Sequence, residues 1–357
     1  MSVLSVERKF NCRDLPTLEQ CVGWMELEPL ADAADDFGID ISDDNYDRIR
    51  LELVNKLKDE SLMRAIILGG LVNQQQELMA AAVNATDCEY GFDDYDDSED
   101  EDEDADGEDE CFDPVAARML FFGYAYVDEE GQLIPTQEMA AFLYALDWEQ
   151  LSADVGRLGT FNRYALGAAN LYGVLSVVEL VNLINTVMDE PPMKPSKAVE
   201  LYKQAEQFLD GYDIRNGYIV HIDLLENNAY LQMIEDIKHI PLYLPQELDD
   251  LALSGYDEDF PYAFKPMDDL VRLLRPRLSK AERCDGMPYA QIDELFRRAK
   301  KGDELLPLPE AQMLLSCLKT NQQKARFRAL LKEMEDGARR WEYRGHSAAE
   351  MRALELL

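Results

Sequence analysis

Residues 93–110 read DDYDDSEDEDEDADGEDE. No packed core can be built from this stretch, because an ionised carboxylate taken out of water without a partner costs far more than any neighbouring contact returns. The wider window 87–113 holds 17 Asp and Glu and no Lys or Arg. Like charges at this density repel one another along the chain and keep it in water. The helical pattern SLMRAIILGGLVNQQQELMAAAVNA lies before the tract, and DPVAARMLFF restarts a helix after it. The tract therefore reads as a disordered insertion inside one folding unit, not as a linker between two.

The other residues must supply the cores. Hydrophobic residues make up 47% of a 357-residue chain, which is enough for two or three domains. Net charge is −37 and unevenly spread: residues 271–357 carry 18 Lys and Arg against 13 Asp and Glu. A surface this negative repels phosphate backbones, so direct nucleic-acid binding is disfavoured and a basic protein surface is the favoured partner. No apolar run is long enough to span a membrane. The start MSVLSVERKFNCRDLP has no signal-peptide core, which places the expected location in the cytoplasm. Six scattered cysteines show no C-x-x-C spacing, and the three histidines are His221, His239 and His346. Neither a disulfide framework nor a structural zinc is expected, and no cofactor is expected.

Four segments are predicted. Residues 1–60 form a helix, short extended link and helix, the pattern of Rho-N and SAP modules. Gly38 stops the first helix, Asp43 or Asp44 caps the second, and Ile49, Leu53 and Leu57 line its apolar face. Its carboxylates (Glu28, Asp32, Asp35, Asp36 and Asp40 among them) have the wrong sign for nucleic acid. Residues 61–150 form a winged-helix-like unit, with the insertion 87–113 and a hairpin across Glu129-Glu130-Gly131. Gly69-Gly70 is expected to weaken or divide its first helix. Residues 151–225 repeat the scheme as a second winged-helix-like unit. Ser176 and Ser196 cap its helices, and Asn216-Gly217 supplies a type I′ turn for the wing. Its third helix carries two Lys and two Glu, and its wing carries only Arg215, which is a poor reading head for DNA. Residues 226–357 form a helical C-terminal region. The fold class is mainly α with small β-hairpins.

The segment RRWEYRGHSAAEM, 339–351, resembles a W-E-x-x-G-H-T-P-N-E motif at Trp341, Glu342, Gly345, His346 and Glu350. That motif belongs to a group of uncharacterised Gram-positive bacterial proteins with a Rho-N-like start, winged-helix-like repeats and often a SEC-C tail. YGVLSVVELVNL, YIVHIDL and IPLYLPQELDDLALSGY are similar to the middle of those proteins. Ser347, Ala348 and Ala349 depart from Thr-Pro-Asn, and the SEC-C cysteines are absent, so that zinc is not carried over. The resemblance implies a fold and no established activity.

Few motifs carry chemistry. Asp102, Asp104 and Asp106 with Gly107 and Asp113 match EF-hand positions 1, 3, 5, 6 and 12. Position 12 lacks the bidentate Glu, so a solvated charge run competes with a weak divalent-cation site. Trp341, Glu342 and His346 are candidate partner-binding residues, against the alternative of a local anchor. Arg297, Arg298, Lys300 and Lys301 are a second candidate patch, at a helix end where cations also suit the dipole. No nucleophile elbow, P-loop, dinucleotide fingerprint or H-E-x-x-H occurs, so no enzymatic activity is expected. The leading expectation is a non-enzymatic interaction or regulatory protein that docks a basic partner on an acidic surface. A winged-helix transcriptional regulator and a DNA-mimic inhibitor are the alternatives; oligomeric state is left open. Deleting residues 90–110 is expected to leave the melting temperature nearly unchanged, and a large loss in a thermal scan would contradict the insertion.

Overall fold

The computed structural model describes residues 15–42, 45–87, 114–128, 131–187, 192–255, 265–278 and 288–356. The protein is mainly helical, with two small antiparallel sheets. The chain divides into two compact units: 1–160 with 200–210, and 161–199 with 211–357. The expected segments 1–60 and 61–150 both fall in the first unit, and most of 151–225 falls with 226–357 in the second. The insertion 87–113 lies outside the described residues, save Asp87.

The first unit opens with three short helices, α1 (Leu18–Trp24), α2 (Leu27–Asp36) and α3 (Tyr46–Leu57). Thr17 and Gln20 form a capping box on α1. Gly38, at φ +62°, ends α2 as expected. The α3 cap is Asn45, whose side chain accepts from the Arg48 amide; the expected caps Asp43 and Asp44 lie outside the described residues. Ile49, Leu53 and Leu57 are buried, as their spacing requires. Leu18 N–H donates to Glu138, and Gln137 N–H donates to Pro16 O, 2.8 and 2.9 Å. These bonds tie α1 to the start of α6 (Gln137–Ala145).

Helix α4 runs unbroken over Glu60–Asp87, so Gly69-Gly70 does not divide it. The glycines instead make a smooth place on its surface. A Cβ on Gly70 would sit 2.7 Å from Val115 Cγ2 and 3.0 Å from Val115 Cα. A Cβ on Gly69 would sit 2.7 Å from Phe208 Cβ. Helix α5 (Pro114–Phe121) and the 3₁₀ turn Glu206–Phe208 seat there. The hairpin β1 (Ala125–Val127) and β2 (Leu133–Pro135) follows α5, with Tyr126 opposite Ile134. Tyr124, fully buried, donates its hydroxyl to Leu57 O at 2.6 Å.

The second unit contains the end of α7 (Trp148–Tyr172), α8 (Val177–Ile184) and the start of α9 (Pro195–Ala205). Ser176 caps α8 as expected. The helix expected to start after a Ser196 cap begins one residue before it, at Pro195, whose fixed φ suits a first turn. The hairpin β4 (Tyr212–Arg215) and β5 (Tyr218–His221) turns at Asn216 and Gly217, both with positive φ. Val174–Ser176, expected as a turn, is a third strand, β3, paired with β5 through Val174–Val220 and Leu175–Ile219. Three residues leave too short an alternation to announce a strand. Helices α10 (Ala229–Ile237) and α11 (Leu248–Leu253) follow. A separate apolar cluster joins α12 (Lys265–Leu274), α13 (Tyr289–Lys300), α14 (Pro309–Ser316) and α15 (Asn321–Gly337) around Leu270, Phe296, Leu314 and Phe327. Helix α16 is Ala348–Ala353. Among the described residues no helix is long and apolar enough to cross a membrane.

Gly70→Val is expected to cost about 1–3 kcal/mol in urea unfolding by overpacking. Val115→Ala in the same chain should restore part of that loss, and purely additive effects would contradict the contact.

Candidate functional site

The first unit concentrates charge of one sign on ordered helices. Residues 15–47 contain ten Asp and Glu and no Lys or Arg. Glu19, Glu26, Glu28, Asp32, Asp35 and Asp36 are exposed, and none forms an ion pair with a described cation. The nearest cations, on α3, each reach a backbone carbonyl, and Arg48 also pairs with Glu52 of its own helix at 2.9 Å. Arg50 donates to Met25 O, Lys56 to Phe37 O and Arg48 to Asp40 O, at 3.3, 3.3 and 2.6 Å. Met25 and Phe37 close α1 and α2, so two of these cations satisfy helix C-termini. The carboxylates of α1 and α2 stay unneutralised as a consequence.

Apolar side chains stand within this acidic surface. Trp24 is 61% exposed and Leu27 52%, at the junction of α1 and α2. One edge of Trp24 meets Tyr126 at 5.8 Å between centroids, which holds the indole without covering it. Tryptophan is mostly buried in folded chains, and it is among the residue types enriched at binding hot spots.

Beside α2 lies a cleft of about 350 Å³ lined by Asp36, Phe37, Arg118, Phe121, Phe122, Gln207, Phe208 and Asp210. Its phenyl rings touch in series. Phe122 meets Phe37 at 5.3 Å, Phe121 at 4.8 Å and Phe208 at 6.1 Å. Arg118 lies over Phe208, 4.8 Å from its centroid, and donates from Nη2 to Phe208 O at 3.1 Å. Its Nη1 is buried without a hydrogen-bond partner, and a Cβ on Gly69 would come within 3.2 Å of it. Burial lowers the Arg118 guanidinium from its ordinary value, while Asp210 and Glu77 pull it back. The cleft gathers residues from positions 36–37, 118–122 and 207–210. No local motif could have announced it; the one visible signal was the run Phe121-Phe122.

The residues expected to bind a partner lie elsewhere, in the second unit. The basic patch at the end of α13 is largely neutralised in place. Arg297 pairs with Glu294 at 3.0 Å, Arg298 with Asp303 at 2.7 Å and Lys301 with Asp223 at 2.6 Å. Lys300 is buried, its ammonium 5.0 Å from the centre of the Phe296 ring.

Trp341 is 5% exposed and belongs to a core cluster with Val174, Val220, Leu224 and Tyr230. Its indole N–H donates to Asn170 O at 2.9 Å, and His221 lies 4.8 Å from its ring. Glu342 pairs with Arg340 at 3.1 Å. His346 Nε2–H donates to Pro241 O at 3.2 Å. Arg344 donates to Ile240 O and pairs with Glu179 at 2.8 Å, and Arg339 pairs with Glu350 at 2.9 Å. Gly345, at φ +83°, has room for no side chain, since a Cβ would meet the Tyr172 ring at 2.8 Å. This segment is thus a clasp that fastens residues 339–350 to α7, β3, α8 and the 240–243 stretch. The EF-hand-like Asp102, Asp104, Asp106 and Asp113 lie outside the described residues.

Chemically, the acidic face and the cleft can bind and exclude water. Among the described residues no group of three or more His, Cys, Asp and Glu could hold a metal ion. Burial, with Glu138 nearby, pushes the Cys21 thiol up to about 11, so it is no nucleophile at neutral pH. Comparison with family models, curated proteins and solved structures finds no match.

Desolvation raises the Glu179 carboxyl, but hydrogen bonds from Arg344 and Ser176 outweigh it and hold the group below its ordinary range. A carboxyl lowered by folding contributes stability above its unfolded value, about 4.3, and loses it as pH falls through the folded value. Thermal midpoints taken from about pH 6 to about pH 3 should therefore fall more steeply for the wild type than for Glu179→Gln. Parallel profiles would show that the clasp does not depend on this pair.

Proposed function

We propose that this chain is a non-enzymatic interaction protein that receives a basic protein segment on the acidic face of α1 and α2. The observation that carries this reading is Trp24 with Leu27, exposed within a cation-free stretch of ordered helix. Charge of one sign speeds encounter and selects basic partners. Affinity then needs a desolvated anchor, and an exposed Trp is the residue type that most often supplies one. The same anchor argues for docking over DNA mimicry, since a surface imitating phosphates has no use for an indole.

We also read α7, β3, α8, α9, β4 and β5 as a winged-helix-like unit, supported by that order of elements and by β3 pairing with β5. The likeness of residues 339–351 to the Gram-positive group is kept as a proposal of shared architecture. Its role is packing, in our reading. Arg215 at the wing is paired with Asp213 at 2.5 Å, and α9 alternates Lys197, Glu200 and Lys203 along its length. Neither element offers the run of cations that phosphate contacts need.

A synthetic amphipathic helix of Leu, Lys and Arg is the probe. It should shield Trp24 from acrylamide quenching in the wild type, and the change should vanish in Trp24→Phe. Raising salt from about 50 to about 300 mM should weaken binding by about tenfold or more. Glu28→Lys with Asp32→Lys and Asp35→Lys should abolish binding at an unchanged melting temperature. Binding that ignores salt and survives this charge reversal would sink the proposal.

A further inference from the structure

We propose that the phenylalanine-lined cleft beside α2 receives an arginine side chain of the basic partner, a refinement that rests on the docking reading. Phe122, only 4% exposed, underlies the site, and both Phe37 and Phe121 pack against it. Phe121 keeps 36% of its surface open. Asp36 ends α2, on the acidic helix that would meet the partner, and Asp210 lines the same cleft. Neither carboxylate is in an ion pair with a described cation. Among the described residues Arg118 is the one cation in the lining, and its Nη2 is committed to Phe208 O while its Nη1 is sealed against Gly69. The lining is therefore short of positive charge by one.

Each alternative occupant fails on chemistry. An anion would face two carboxylates. An uncharged apolar group would fill the aromatic part and leave the net negative charge of the lining unanswered. A lysine ammonium answers the charge, but it is strongly hydrated and has no planar face. A guanidinium is weakly hydrated, stacks on phenyl rings and presents a fork of donors to carboxylates. The wall already holds one such stack, Arg118 over Phe208. The volume, about 350 Å³, is ample for the side chain.

The test titrates protein carrying ¹³C-phenylalanine with N-acetyl-arginine methylamide, and with its citrulline and lysine counterparts. Ring signals assigned through Phe37→Leu and Phe121→Leu should move with arginine at millimolar concentration. Citrulline, uncharged but of the same shape, should leave them in place, and lysine should bind about fivefold more weakly or worse. Asp36→Asn with Asp210→Asn should weaken arginine about tenfold at an unchanged melting temperature. Equal response to citrulline or lysine, or shifts that survive the double substitution, would overturn the assignment. The two proposals fail separately. If the cationic peptide shields Trp24 while arginine leaves the rings unmoved, the cleft assignment falls and docking stands. If arginine moves the rings while no cationic peptide binds, docking falls and the cleft remains an arginine site.

Discussion

The first unit depends on two absent side chains. Helix α4 carries glycines at 69 and 70, and the chain uses that smooth place twice. Val115 seats α5 on Gly70, and Phe208 with Arg118 seats on Gly69. Once these are in place, Phe122 has neighbours on three sides and the cleft beside α2 follows. Glycine in a helix interior costs about 1 kcal/mol relative to alanine. The close packing it allows offsets that cost, which explains why α4 is not divided there.

Electrostatics on this unit is decided by where the few cations go. Arg48, Arg50 and Lys56 each reach a backbone carbonyl, and two of these carbonyls close helices. An orphan carbonyl at a helix C-terminus is a better partner for a nearby cation than an exposed carboxylate, because the carboxylate is already well solvated. The acid groups of α1 and α2 are left to act together on whatever approaches. The second unit disposes of its charge in the opposite way. Its basic residues outnumber its acids near the C-terminus, yet the α13 patch and the clasp pair many of them at close range.

The clasp shows how one short segment can be both conspicuous in sequence and structural in role. Trp341, Gly345 and His346 stand out because their residue types are unusual at that spacing. Each has a local reason. Trp341 fills a place among β3, β5 and α10, Gly345 fits under Tyr172, and His346 donates to Pro241 O.

The sequence alone determined the helical class, the hairpin at Asn216-Gly217, the Ser176 cap and the buried face of α3. Those features depend on residues a few positions apart, where periodicity and turn chemistry act directly. It also determined the sign of the charge and the lack of cations around α1 and α2. Only the tertiary structure decided that β3 is a strand, that Gly69-Gly70 is a contact and not a break, and that Lys301 is paired with Asp223. Only it brought Asp36, Phe37, Arg118, Phe122 and Phe208 to one cleft. These depend on contacts between residues tens to more than a hundred positions apart, and no local pattern carries the distance between two such residues.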